Sequence, residues 1–118
     1  MDPSQPTAHE PLHVGRDARW LRLPSGLRLE LPRQRALRLI LIAMVRARID
    51  HPGCALPSER LLAVGWPDER VTEASGSVRV RVAVSKLRAL GLRSLIASRD
   101  DGYLLRPDAD VVLVDSLT

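Results

Sequence analysis

Between Val78 and Val84 every second residue is a valine, with Arg79, Arg81 and Ala83 in between. This run constrains the fold more than any other stretch, because its two readings lead to different fold classes. β-Branched residues at period two are the pattern of a half-buried strand. Followed further, Val80, Val84, Leu87 and Leu90 or Gly91 meet helical spacing instead. No turn residue separates the two patterns. Ser75 or Ser77 is placed to cap a helix start, and Gly91 suits a helix end. Locally, strand and helix both stay open.

The flanking sequence supplies an order of elements. Met1 to Asp17 is polar and Pro-containing without periodicity, and reads as a disordered arm (1–17) before one domain (18–115). Trp20–Leu23 and Leu27–Leu31 flank Pro24-Ser25-Gly26. Leu27, Leu29 and Leu31 alternate with Arg28 and Glu30, so the pair predicts a hairpin. Pro32 is placed to open a helix over Arg33–Ile49, with apolar residues at 36, 37, 40, 41, 44, 45 and 49; Asp50-His51-Pro52-Gly53 ends it. Pro57-Ser58-Glu59 opens a second helix that reaches about Val64, and a polar loop spans Asp68–Ala74. After Gly91, Leu95–Ala97 and Tyr103–Leu105 flank Arg99-Asp100-Asp101-Gly102, a hairpin signal. Val111–Val114 predicts a last strand that returns to the N-terminal hairpin.

Composition limits what this order can do. The chain has 118 residues, 45% of them apolar, enough for one core; aromatics are 3% with no Phe, so Leu, Ile, Val and Ala must fill it. Nine Arg and two acids lie between Arg16 and Arg48, and five basic residues with no acid between Ser75 and Arg93. Acids gather at Asp68, Glu69 and Glu73, at Asp100 and Asp101, and near the C-terminus. Such segregation suits a polyanion binder. The single Cys54 excludes an internal disulfide and reads as a small buried thiol. His9, His13 and His51 have no metal-ligand spacing. No Ser/His/Asp set, carboxylate pair or phosphate loop stands out, so no catalytic residue, cofactor or metal is expected. With neither a leader-like start nor an apolar run long enough to span a bilayer, a cytoplasmic protein without membrane contact is expected.

Four stretches resemble the OmpR/PhoB-type winged-helix effector domain of bacterial response regulators. Leu56-Pro57-Ser58-Glu59-Arg60-Leu61-Leu62-Ala63-Val64-Gly65-Trp66 is similar to the family's second helix, with one extra Gly before the Trp. Val80-Arg81-Val82-Ala83-Val84-Ser85-Lys86-Leu87-Arg88 is similar to its recognition helix; Gly102-Tyr103-Leu104-Leu105 to the Gly-Tyr-Arg-Leu of its wing; and Arg106-Pro107 to a common ending. The likeness spans about Trp20 to Pro107 and implies an α+β winged helix-turn-helix: N-terminal antiparallel strands, three helices and a C-terminal β-hairpin wing. It also implies that the valine run is helical, because the family's helix carries the same alternation. Two departures stand out. Arg81 and Ala83 replace the family's usual Asp and His, and the wing tip carries Asp100 and Asp101, which repel phosphate.

As a helix at about 100° per residue, Ser75–Leu90 turns Val80, Val84 and Leu87 inward and Val78, Val82 and Ser85 outward. Arg79 and Lys86 flank the outer strip on one side, Arg81 and Arg88 on the other. A helix in the major groove sets its central strip against base edges and its flanks against phosphates. Val78, Val82, Ser85 and Lys86 are therefore the expected base contacts, with Val82 and Lys86 also implied by the resemblance. Arg79, Arg81, Arg88 and the wing's Arg99 are the expected phosphate contacts. The expected partner is double-stranded DNA, bound by a transcriptional regulator with no receiver domain, as a homodimer or in tandem on direct repeats. The alternative is a protein-interaction module that uses the same valines against a signalling partner. Trp66 is expected to plug the core beside the second helix.

Overall fold

The computed structural model describes residues 10–31, 33–70 and 72–114, apart from the side chain of Glu73. The chain is mixed α+β, with three α-helices and two small sheets among the described residues. The helix start expected at Pro32, the arm residues 1–9 and the boundary at Asp115 lie outside these residues.

The first sheet holds β1 (Leu12–Val14), β2 (Trp20–Arg22), β3 (Arg28–Glu30) and β6 (Val111–Leu113), in the order β3-β2-β1-β6. β2 and β3 form the expected hairpin, with Trp20 opposite Glu30 and Arg22 opposite Arg28. Two expectations are corrected here. The arm predicted over 1–17 contains β1, whose Leu12 and Val14 are fully buried. β6 does not join the Trp20–Leu31 hairpin directly: it runs parallel to β1, with Leu12 opposite Val111 and Val14 opposite Leu113. The cause is a pair of apolar side chains too short to signal a strand alone, which reach the core only when β2 and β6 clamp them from both edges. Leu31 is buried as alternation requires, but Leu27 is exposed, because it lies in the turn before β3 begins.

α1 (Arg35–Asp50) packs against β6 and buries Leu37, Ile40, Leu41, Met44 and Val45, nearly the predicted stripe; Ile49 at its last turn stays exposed. Each such leucine or isoleucine contributes about 1.5–3 kcal/mol on burial. Arg48 Nε donates to the Ala109 carbonyl at 3.1 Å and ties the return to β6 onto the helix. α2 (Ser58–Gly65) inserts Leu61 into the same core. Cys54 lies in the α1–α2 connection and is exposed, contrary to the buried thiol expected: the turn after Pro52-Gly53 carries it outside the helical layer.

The valine run is a helix. α3 (Glu73–Leu87) begins two residues before Ser75, and its cap is Thr72, whose Oγ1 accepts from the Ser75 N–H at 3.2 Å. Neither Ser75 nor Ser77 is the cap. Val80, Ala83, Val84 and Leu87 are all buried, which explains why the helix reading wins: only this spacing puts all four in one core. The α-helix ends at Leu87, and a wider turn over Arg88–Leu92, containing Gly91, leads to a hairpin of β4 (Ile96–Arg99) and β5 (Gly102–Leu105). Arg99 pairs with Gly102, so Asp100-Asp101 forms the tip. Gly102 is the first strand residue, at φ 140°, where an added Cβ would strike the Leu56 carbonyl. Its hydrogen comes this close because Leu56 forms a bridge with Tyr103 beside β5.

Candidate functional site

α3 packs on α2 and α1, and the turn at its C-terminal end leads to the β4–β5 hairpin. Its inward stripe anchors it, and its outward strip stays uncovered: Val78 is 52% and Val82 48% exposed, and Ser85 is exposed beside them. These apolar side chains stay open in the middle of a long helix while Val80, Ala83, Val84 and Leu87 on the opposite face are buried, so the strip is the apolar part of the candidate surface.

The flanking cations fall into two groups. Arg81 and Lys86 are exposed and form no ion pair among the described residues. The other three expected phosphate contacts are engaged within the protein. Arg79 donates through Nη1 to Glu69 Oε1 and lies over the Trp66 ring, 5.4 Å from its centroid. Arg88 donates through Nη2 to the Ile96 carbonyl at 3.0 Å and to Ser98 Oγ at 2.8 Å, and stands 6.0 Å from the Tyr103 ring centre. Arg88 thus fastens the turn at the end of α3 to the hairpin. Arg99 donates through Nη2 to the Gly53 carbonyl at 2.6 Å and pairs through Nε with Asp101 at 3.5 Å, which neutralises much of its charge at the tip.

Trp66 is the expected core plug only in part. It is half-buried at the end of α2, packing against the core with one part and supporting Arg79 with its ring. From there it helps line a groove of about 850 Å³ between α3 and the beginning of α1. Val78, Val82, Ala36 and Trp66 contribute apolar surface, with Arg79 and Lys86 on one wall and Arg33 and Arg35 on the other. Arg33, in the turn before α1, and Arg35, its first residue, were not among the predicted contacts. They belong to the arginine-rich stretch seen in the sequence, but nothing local places the start of α1 opposite α3. Glu69 was likewise missed, because its partner Arg79 is ten residues away across a loop.

The hairpin side has the opposite sign. A smaller cleft of about 380 Å³ between the start of α2 and the tip is lined by Glu59, Asp100 and Asp101, with Arg99 the one cation. The site therefore runs from a basic, apolar-floored groove to an acidic tip. Among the described residues no group of three or more His, Cys, Asp or Glu side chains could hold a metal ion, and no helix is long and apolar enough to cross a membrane.

Comparison of the chain with protein-family models, curated proteins and solved structures finds no match.

Proposed function

We propose that this chain is a winged-helix DNA-binding domain similar to the OmpR/PhoB type, acting as a bacterial transcriptional regulator, with α3 as the recognition helix and the β4–β5 hairpin as the wing. The observation that carries this reading is the outer face of α3: an open strip of Val78, Val82 and Ser85 beside Lys86 and Arg81, which form no ion pair among the described residues. Its width suits the major groove, where an α-helix fits and thymine methyls and guanine acceptors are displayed. Val78 and Val82 meet methyls, Ser85 adapts to either kind of edge, and Lys86 donates to guanine O6 and N7. Arg81 on one flank and Arg33 and Arg35 across the groove neutralise phosphates, which position the helix without reading sequence.

The same geometry divides the other arginines. Arg88 fixes the angle between α3 and the hairpin, and Arg99 fixes the hairpin to the α1–α2 turn. Both act first on the protein. The acidic tip turns the wing away from the phosphate backbone, so affinity comes mainly from α3 and α1. The test is fluorescence anisotropy with a labelled random-sequence duplex at low salt, where binding is expected. Absence of binding overturns the reading.

One observation favours a second reading. The groove floor is apolar, and phosphate has no use for valine or tryptophan surface. A protein-interaction module would place a partner's apolar residues there. A purified complex that resists nuclease and is lost in Val82→Asp would support this alternative over DNA binding.

A further inference from the structure

The contact between Arg79 and Glu69 has a consequence for selectivity that rests on the duplex-binding reading. Arg79 is on the wall of the groove with Lys86, at the position where a phosphate would pass. Its guanidinium is nevertheless occupied: the Trp66 ring covers one face, and the Glu69 carboxylate takes the Nη1 donor. Both partners come from the α2–α3 connection, so the arrangement is built into the loop that delivers α3. The pair is also open to solvent, with side-chain exposures of 36% for Arg79 and 53% for Glu69. An ion pair so exposed is weak and replaceable. A buried pair would remove Arg79 from the surface for good; this one only sets a threshold.

We infer that Glu69 is a specificity-determining residue that neutralises Arg79 in the free protein, so that a duplex gains the Arg79 contact only by displacing the Glu69 carboxylate. Non-specific binding is almost wholly electrostatic, driven by counterion release as cations meet phosphates. A cation already paired releases nothing until its partner is displaced. Phosphates that only pass near the groove gain little from Arg79. A duplex seated by base contacts at Val82 and Lys86 brings a phosphate close enough to compete. Trp66 keeps the guanidinium near the helix while the exchange occurs, because stacking on a ring does not depend on which anion is present. The carboxylate thus discriminates against poorly fitting polyanions.

The test compares wild type, Glu69→Gln, Glu69→Ala, Arg79→Gln and the Glu69→Gln/Arg79→Gln pair by anisotropy with one random-sequence duplex across a salt series. Thermal melting of each variant checks its fold. Glu69→Gln and Glu69→Ala should bind about two- to five-fold more tightly at low salt, the size of effect an exposed ion pair carries. Their log-log salt slopes should steepen by about one, for one more phosphate contact. With Arg79 already replaced, Glu69→Gln should change neither affinity nor slope. If the Glu69 variants melt like wild type and bind equally or more weakly, Glu69 supports Arg79 instead of masking it, and the inference is overturned. Failure of wild type and every variant to bind overturns the DNA reading and this inference with it. Wild-type binding with no gain in the Glu69 variants overturns the inference alone.

Discussion

Gly102→Ala separates local strain from a collision at the point where the hairpin meets the rest of the domain. Gly102 has φ 140°, and an added Cβ would run into the Leu56 carbonyl. Backbone conformation alone costs about 1–3 kcal/mol for a residue with a side chain at such angles. Relieving the collision means moving the Leu56 segment, which is held by two hydrogen bonds: Leu56 N–H to the Tyr103 carbonyl at 2.8 Å and Tyr103 N–H to the Leu56 carbonyl at 3.0 Å. Each contributes about 0.5–1.5 kcal/mol net, so the total cost is roughly 2–6 kcal/mol. Gly26 is the internal control. Its φ is 96°, but nothing lies within 4 Å of an added Cβ. Gly26→Ala should therefore show the conformational cost without the loss of the bridge. In urea denaturation followed by tryptophan fluorescence, Gly102→Ala should be less stable than Gly26→Ala by at least about 1 kcal/mol, which is about 4–8 °C in Tm for a domain of this size. Equal stability of the two variants would refute the argument that Gly102 is required for close approach.

Three further outcomes follow from the packing. Thr72→Ala removes the side-chain acceptor for the Ser75 N–H and should cost about 1 kcal/mol in thermal melting by circular dichroism. Leu87→Ala, at 0% exposure, should cost about 2–5 kcal/mol in urea denaturation, whereas Val82→Ala at 48% should stay within about 0.5 kcal/mol, a contrast that checks which face of α3 is inside. Arg88→Met removes the donor to Ile96 and Ser98, and should speed amide hydrogen exchange in β4 more than in β1.

Much of this architecture can be read from the residues, and the exceptions have physical causes. The α1 stripe is legible because five buried side chains repeat at helical spacing over a long segment. The inward set of α3 is legible for the same reason once Val84 and Leu87 are included, even though Val78–Val84 alone imitates a strand. The hairpin follows from two apolar runs around Asp100-Asp101-Gly102, although the turn is Asp100-Asp101 and Gly102 serves the Leu56 contact. β1 is illegible because three residues carry no period, and its pairing with β6 spans nearly the whole chain. Thr72 is hidden among several equally suitable capping residues. The exposed strip of Val78, Val82 and Ser85 is legible from helical spacing at about 100° per residue. The state of its arginines is not: Arg79 and Arg88 are engaged by Glu69, Trp66 and Ile96, which only tertiary structure brings near.

The most direct measurement is the salt dependence of duplex binding by wild type and by the Arg81→Ala/Lys86→Ala protein, with melting temperatures recorded for both. With phosphates met by Arg33, Arg35 and Arg81, and at most two more by Lys86 and Arg79, log K should fall with log salt at a slope of about −3 to −4.5. The double variant should melt as wild type does, bind at least tenfold more weakly, and show a slope shallower by about one to two. Absence of wild-type binding at low salt, or a double variant with unchanged affinity and slope, would contradict the assignment of α3 as the DNA-reading helix.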